Sequence, residues 1–448
     1  MQKLIVKRQF LGVQPCEIEF DRFLLLIGEQ ASGKSTIAKL IFFFQTLPDV
    51  IYDMSVKAHS KSESLHYKDS IYNTIQSKFL ETFGFAFKNE SFHIEFFYKK
   101  NAHVKIFQGG HPQLNVIFES DNLHDTVINS VKDYIESKRL DPKVDEFTFR
   151  QKLKNDLDII FDRKNNENTF LIAGRNTIVA FPEIFEKIVG QEIEKLIEDE
   201  IKEQDFEKRQ RLGNEMLLYK FVEWSRGIRN YFKNNGQTFE KASKSLINID
   251  ALLEIEKIAQ KILKGKYQSA ESGEQIQVEG SKLNIPLKDA SSGQQESLRI
   301  LQGLFLATGL NNRKEFFVIE EPEAHLYPLA QKELINAFAV FLNTIQNGKL
   351  IVTTHSPYIL ACINILLFAD YVSNEIDNQN GKISNIPRAF WLDSSFFNAY
   401  SLGQKEGYCM NIKDSVTGLI DQNYLDSISE QLGLQYQELY NLLTKETI

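Results

Sequence analysis

Phe23-Leu24-Leu25-Leu26-Ile27-Gly28-Glu29-Gln30-Ala31-Ser32-Gly33-Lys34-Ser35-Thr36 is the stretch whose reading decides the fold. Its first five residues are wholly apolar and of strand length, the pattern of a buried parallel strand. Gly28 to Thr36 match GxxxxGK[ST], a glycine-rich loop whose backbone N–H groups wrap a phosphate. Ile37, Leu40, Ile41 and Phe44 then recur at helical spacing, and Pro48 is expected to end that helix. Strand, loop and helix in this order set an anion at a helix N-terminus. Gly28, Glu29, Gln30, Ala31, Ser32, Gly33, Lys34, Ser35 and Thr36 are therefore candidate nucleoside-triphosphate contacts. Lys34 would neutralise the β- and γ-phosphates, and the Ser35 hydroxyl would ligate Mg²⁺.

The 448 residues suffice for one large or several ordinary domains; 42% are hydrophobic and 25% charged, so the chain can bury a core. A net charge of -8 argues against a surface coated in phosphate-binding groups. Cys16, Cys362 and Cys409 are far apart and form no CxxC, which points to a reducing compartment and no cysteine metal site. The apolar run from Tyr358 to Ala369 is too short to span a bilayer, so no membrane association and a cytoplasmic location are expected.

Outward from the loop, Leu4–Gln9 and Cys16–Phe20 read as strands. Phe92–Phe96, Ala102–Ile106 and Asn115–Phe118 form an antiparallel meander. Residues 121–264 are mostly helical. Within them Phe170–Asn176 reads as a short strand ending in Gly-Arg, and Trp224–Lys233 as a surface helix end. Three short strands follow around residues 266–286. The expected class is α/β, with a nucleotide-binding head formed by residues 1–120 and 265–375. An antiparallel β subdomain belongs to that head, residues 121–264 are a helical insertion, and residues 376–448 complete the head with a closing helical segment.

Phe316-Phe317-Val318-Ile319 is an apolar strand ending in Glu320-Glu321-Pro322-Glu323. An acidic pair at a strand's carboxyl end suits phosphate chemistry: Glu320 would hold Mg²⁺ and Glu321 would polarise the attacking water. Lys349–Thr354 is a further strand closed by His355, which there can hydrogen-bond a γ-phosphate and register its loss. Ser291, Ser292, Gly293, Gln294 and Gln295 open a helix running through Leu298, Leu301, Leu304 and Phe305. Such a start makes an anion site and equally a good helix cap.

The order of these motifs resembles that of ABC-type P-loop ATPases of the SMC, RecF and OLD kind, close to those found in bacterial defence systems. Ser291-Ser292-Gly293-Gln294-Gln295 resembles the LSGGQ signature. Glu321-Pro322-Glu323-Ala324-His325-Leu326-Tyr327-Pro328 resembles the EPEAHLHP form of Walker B and D-loop. Leu171-Ile172-Ala173-Gly174-Arg175 resembles a PAGR element of some relatives. The resemblance covers residues 1–50 and 265–360 well and the middle loosely. Glu320 replaces the usual aspartate, Gln294 stands where a signature glycine is usual, and no Q-loop glutamine is evident; Arg175 is placed near the phosphate instead.

This resemblance implies an ATPase that binds ATP and Mg²⁺, with Glu321, His355 and Lys34 as its catalytic residues. It implies a homodimer or higher oligomer in which the signature residues of one head cap ATP on the other. The residues after His355 are too few for a Toprim nuclease domain, so a separate effector or nuclease protein, or DNA, is the expected partner. The role implied is DNA repair or anti-phage defence. The alternative is a scaffold in which ATP holds an effector protein without nucleic-acid contact, and a transporter ATPase subunit is the reading least favoured.

Overall fold

The structure is a computed structural model that describes residues 1–61, 67–84, 91–100, 102–109, 114–119, 123–140, 146–163, 167–188, 206–311, 315–375, 386–404 and 407–421. In chain order its strands are β1 (Gln2–Arg8), β2 (Cys16–Phe20), β3 (Phe23–Gly28), β4 (Phe92–Lys99), β5 (Ala102–Gln108), β6 (Leu114–Glu119), β7 (Glu167–Leu171), β8 (Gly265–Ala270), β9 (Gly273–Val278), β10 (Asn284–Pro286), β11 (Glu315–Glu320), β12 (Lys349–Thr354), β13 (Phe397–Leu402) and β14 (Cys409–Asn411). The helices are α1 (Lys34–Lys61), α2 (Tyr67–Phe83), α3 (Leu123–Leu140), α4 (Glu146–Ile160), α5 (Asn176–Ala180), α6 (Phe206–Asn234), α7 (Phe239–Ser243), α8 (Ile249–Leu263), α9 (Ser292–Gly309), α10 (Pro328–Thr344) and α11 (Pro357–Glu375).

A six-stranded sheet in the order β14-β13-β3-β12-β11-β7 forms the centre. All its neighbours are parallel except β14, which closes the edge antiparallel to β13. Every residue of β3, β11, β12 and β13 is buried, as expected of a parallel sheet covered on both faces. Side-chain alternation divides the interior in two. Phe23, Leu25, Ile27, Phe317 and Ile319 point into a core with α8, α9, α10 and α11. Leu24, Leu26, Phe316 and Val318 point the other way, into a core with α1, α2 and the second sheet. That second sheet, β2-β1-β4-β5-β6, is antiparallel throughout and pairs the N-terminal strands with the meander.

Two expectations are corrected. Pro48 does not end the first helix; α1 runs through it to Lys61. Proline removes the N–H that would bond the carbonyl four residues back. Here that carbonyl, Phe44 O, instead accepts the Tyr98 hydroxyl at 2.6 Å, so the helix continues with its acceptor satisfied. Within residues 121–264, β7 lies in the central sheet beside β11 and α8 packs on α9. The closing segment is not helical as far as it is described: β14 is a strand, and Lys413 and Ile420 form a β-bridge. Residues 422–448, including Tyr424–Ile428, lie outside the described residues.

Other features have plain packing roles. In the basic, aromatic stretch of α6, Phe232 is buried against Phe239, Tyr267 and Phe305, and Ser225 accepts from Arg299 Nε at 2.8 Å. Helix α11 is the one described helix long and apolar enough to cross a membrane by length and composition. One of its faces, with Ile359, Leu360, Ile363, Leu366 and Leu367, is buried in the core.

Candidate functional site

The carboxyl ends of the central strands meet at one edge. Register pairs Ile27 with Thr354, Thr353 with Glu320, and Gly28 with Leu402. Ligands of open α/β sheets bind at such an edge. Strand β12 separates β3 from β11, so the loop and the acidic strand end stand two strand spacings apart, about 10 Å. Glu320 falls on the α1 side of the sheet because it continues the alternation of Phe316 and Val318.

On the loop side, α1 begins at Lys34 with no acidic residue in its first turn, which leaves its N-terminal amides and dipole available to an anion. The buried Lys34 Nζ donates to Gly28 O at 2.8 Å and Glu29 O at 2.7 Å, folding the loop round its own ammonium. Burial pushes the Lys34 ammonium below its ordinary value, while Glu321 and Glu323 pull it back up. Gly33 has φ +93°, and any Cβ there would strike the Tyr408 hydroxyl. That hydroxyl donates to Ser32 O at 2.8 Å, so the turn between β13 and β14 holds the loop from outside.

On the acidic side, Glu321 sits at φ +43° and His325 at φ +61°, both in the left-handed region. Such backbone persists in non-glycine residues only where surroundings over-determine it, and it clusters at working sites. The Glu321 N–H donates to Thr353 O at 2.9 Å. Glu320 Oε2 accepts the Ala173 N–H at 3.2 Å, while Oε1 is buried without a hydrogen-bond partner. Glu323 Oε1 accepts the Thr354 hydroxyl at 2.5 Å and the His355 N–H at 3.0 Å, pinning the end of β12 to the acidic turn. The half-exposed His355 ring reaches both acids, with Nδ1 3.8 Å from Glu321 Oε1 and 3.7 Å from Glu323 Oε1. The Ser356 hydroxyl donates to Gln331 Oε1 at 2.7 Å and ties this corner to α10.

Arg175 turns into the interior. Its side chain is fully buried, and its N–H groups are spent within the chain. Nη1 donates to Ile172 O at 2.8 Å and Glu320 O at 2.9 Å, and Nη2 reaches Glu321 O at 3.5 Å. Nε donates to Glu296 O at 3.2 Å and lies 3.0 Å from Glu296 Oε2. The guanidinium therefore lies behind the acidic turn, between it and α9.

The start of α9 is a capping box. Ser291 Oγ accepts from the Gln294 N–H, and Gln294 Oε1 accepts from the Ser291 N–H at 2.9 Å. Gln294 Nε2 donates to Leu263 O at 2.6 Å, and Gln295 Nε2 to Leu287 O at 2.9 Å. These two side chains are thus engaged inside their own chain. Gly293 packs so tightly on the acidic turn that a Cβ would lie 2.6 Å from His325 O. Of this start, Ser291 is exposed and Ser292 partly so, whereas Gly293 is buried.

Sequence reasoning missed the supporting residues. Glu323 and Gln331 lie within and just after the quoted acidic stretch, which was their only signal. Tyr408 lies 376 residues from the carbonyl it bonds, and no local pattern marks it. The fold also brings Cys16 and Cys409 into side-chain hydrogen-bond contact beside the Tyr408 turn, though they are remote in sequence. Among the described residues no group of three or more His, Cys, Asp or Glu side chains could hold a metal. A Mg²⁺ site of the nucleotide kind needs fewer protein oxygens, and the unpartnered Glu320 Oε1 with the Ser35 hydroxyl fits it.

A family model described as "AAA ATPase domain" matches residues 8–360. Among solved structures the chain is similar to an SMC head bound to the C-winged helix domain of ScpA, at 11% identity over 92% of this chain and 98% of that chain, with a TM-score of 0.41. It is also similar to the SMC head domain from Thermotoga maritima, at 11% identity over the same shares, with a TM-score of 0.37. No curated protein matches the chain.

Proposed function

The chain belongs to the AAA ATPase domain family, and from that premise we propose that it binds and hydrolyses ATP as a pair of identical heads closed by the nucleotide. The observation that carries this reading is the convergence of the Lys34 loop, the Glu320–Glu321 turn and His355 at one sheet edge.

ATP enters with its phosphates along the loop amides, and Lys34 exchanges its carbonyl partners for β- and γ-phosphate oxygens. Mg²⁺, held by Ser35 and Glu320, would neutralise charge on the phosphate oxygens. Glu321 orients the attacking water and takes its proton. His355, anchored through its backbone to Glu323, contacts the γ-phosphate and senses its departure. Ser292 and Gly293 cap the γ-phosphate held by the partner head across a two-fold interface. ATP then favours the closed pair because its γ-phosphate bridges both subunits, and hydrolysis releases them.

The cargo in this reading is DNA or a separate effector or nuclease protein, in repair or anti-phage defence. The net charge of -8 favours a second version in which ATP holds an effector protein without nucleic-acid contact.

The test is the mass of the Glu321→Gln protein by light scattering, with and without Mg-ATP. A rise by a whole subunit multiple supports the closing pair. A mass that ATP leaves unchanged rules out ATP-driven closure. Lys34→Ala should abolish the shift through loss of ATP affinity. Ser292→Arg should block closure, and a Ser292→Arg protein turning over at the parental rate would sink the trans arrangement.

A further inference from the structure

We propose that Arg175 is a positioning residue that joins the Glu320–Glu321 turn to the first turn of α9, so that one head's nucleotide state sets how it presents Ser292 and Gly293. The proposal rests on reading Glu321 as the γ-phosphate-side acid.

The guanidinium is a planar fork set between the acidic turn and the start of α9. One edge of the guanidinium takes the carbonyls of Glu320 at 2.9 Å and Glu321 at 3.5 Å. Its Nε takes α9 at the Glu296 carbonyl, 3.2 Å away, beside the Glu296 carboxylate at 3.0 Å. Glu296 lies one helical turn beyond Ser292. Glu321 is held at φ +43°, a conformation that costs on the order of 1–3 kcal/mol and can relax once its restraints change. Arg175 touches both restrained carbonyls, and its planar fork does not bend. A shift of Glu321 on arrival or loss of a γ-phosphate is therefore passed to the helix start behind it. The close seat of Gly293 on His325 O leaves no slack at that end.

A bland alternative is that Arg175 and Glu296 are simply a buried ion pair. Such pairs often exchange for apolar residues of similar volume without loss of stability. This contrast supplies the test. The full-length Arg175→Met/Glu296→Leu and Arg175→Lys proteins are compared with the parent for fluorescent-ATP affinity, turnover, and backbone hydrogen exchange with and without Mg-ATP. The expected result is a folded double variant with ATP affinity within about threefold of the parent, turnover at least about tenfold lower, and ATP-induced protection kept at residues 28–36 but lost at 291–297. A folded double variant with parental turnover and parental protection at 291–297 overturns the proposal.

A second measurement needs no change at Arg175. In the Ser292→Arg protein, where heads do not close, Mg-ATP should still alter exchange at 291–297, because the path runs inside one head. No change there, with residues 28–36 protected by bound ATP, also overturns it. Failure of the parent to bind or hydrolyse ATP is seen before any of these comparisons and refutes the functional reading instead.

Discussion

Removing the Tyr98 hydroxyl should destabilise the protein only while Pro48 is present. Proline inside α1 leaves Phe44 O without its helical donor, and Tyr98 Oη supplies one at 2.6 Å. Phe44 is fully buried and Tyr98 only 2% exposed, so water cannot replace the bond. Tyr98→Phe then strands a buried carbonyl at a cost of about 1–3 kcal/mol. Pro48→Ala restores an N–H at position 48, and in that background Tyr98→Phe should cost less than about 0.5 kcal/mol. The coupling between the two sites is thus about 0.5–3 kcal/mol, within the range a double-mutant cycle resolves. Urea unfolding of all four proteins, followed by far-UV circular dichroism and tryptophan fluorescence, measures it. Equal losses for Tyr98→Phe in both backgrounds would refute the account of how α1 survives its proline.

Two further predictions concern the site. Tyr408→Phe removes the bond to Ser32 O and loosens the loop by about 0.5–1.5 kcal/mol, so ATP affinity by fluorescent titration should fall roughly two- to tenfold with turnover at saturation little changed; unchanged affinity would show that the turn after β13 does not brace the loop. Burial raises the Glu296 carboxyl above its ordinary 4.5, against the pull of Arg175. The folded state therefore keeps that proton where the unfolded chain has lost it. The carboxyl's contribution to stability is full below the unfolded value and declines as pH rises through the folded one. Parent stability relative to Glu296→Gln, from urea midpoints, should fall across a pH series rising from 4.5, and a flat or rising difference contradicts this.

The strand, loop and helix from Phe23 to Phe44 are legible in sequence because each is specified by residues near in chain. Apolar run, glycine spacing and helical period all fall within the 22 residues from Phe23 to Phe44. The acidic end of β11 and the histidine after β12 are legible for the same reason, as is the α/β class. Arg175 was found as a residue but its inward course was not, because its Gly-Arg context cannot say which way a side chain turns after a strand. Pro48 misled because the usual penalty is local, whereas its relief comes from Tyr98, 54 residues away from the carbonyl it serves.

By itself, then, the sequence determined which local pieces form the glycine loop and carry the acids. Only the tertiary structure decided that β12 stands between β3 and β11, that Tyr408 braces the loop, and that Arg175 lies between the acidic turn and α9. Local pieces follow from backbone preference and side-chain period over a few residues. These three placements follow from strand pairing and burial between segments remote in chain, where no short-range pattern carries the information.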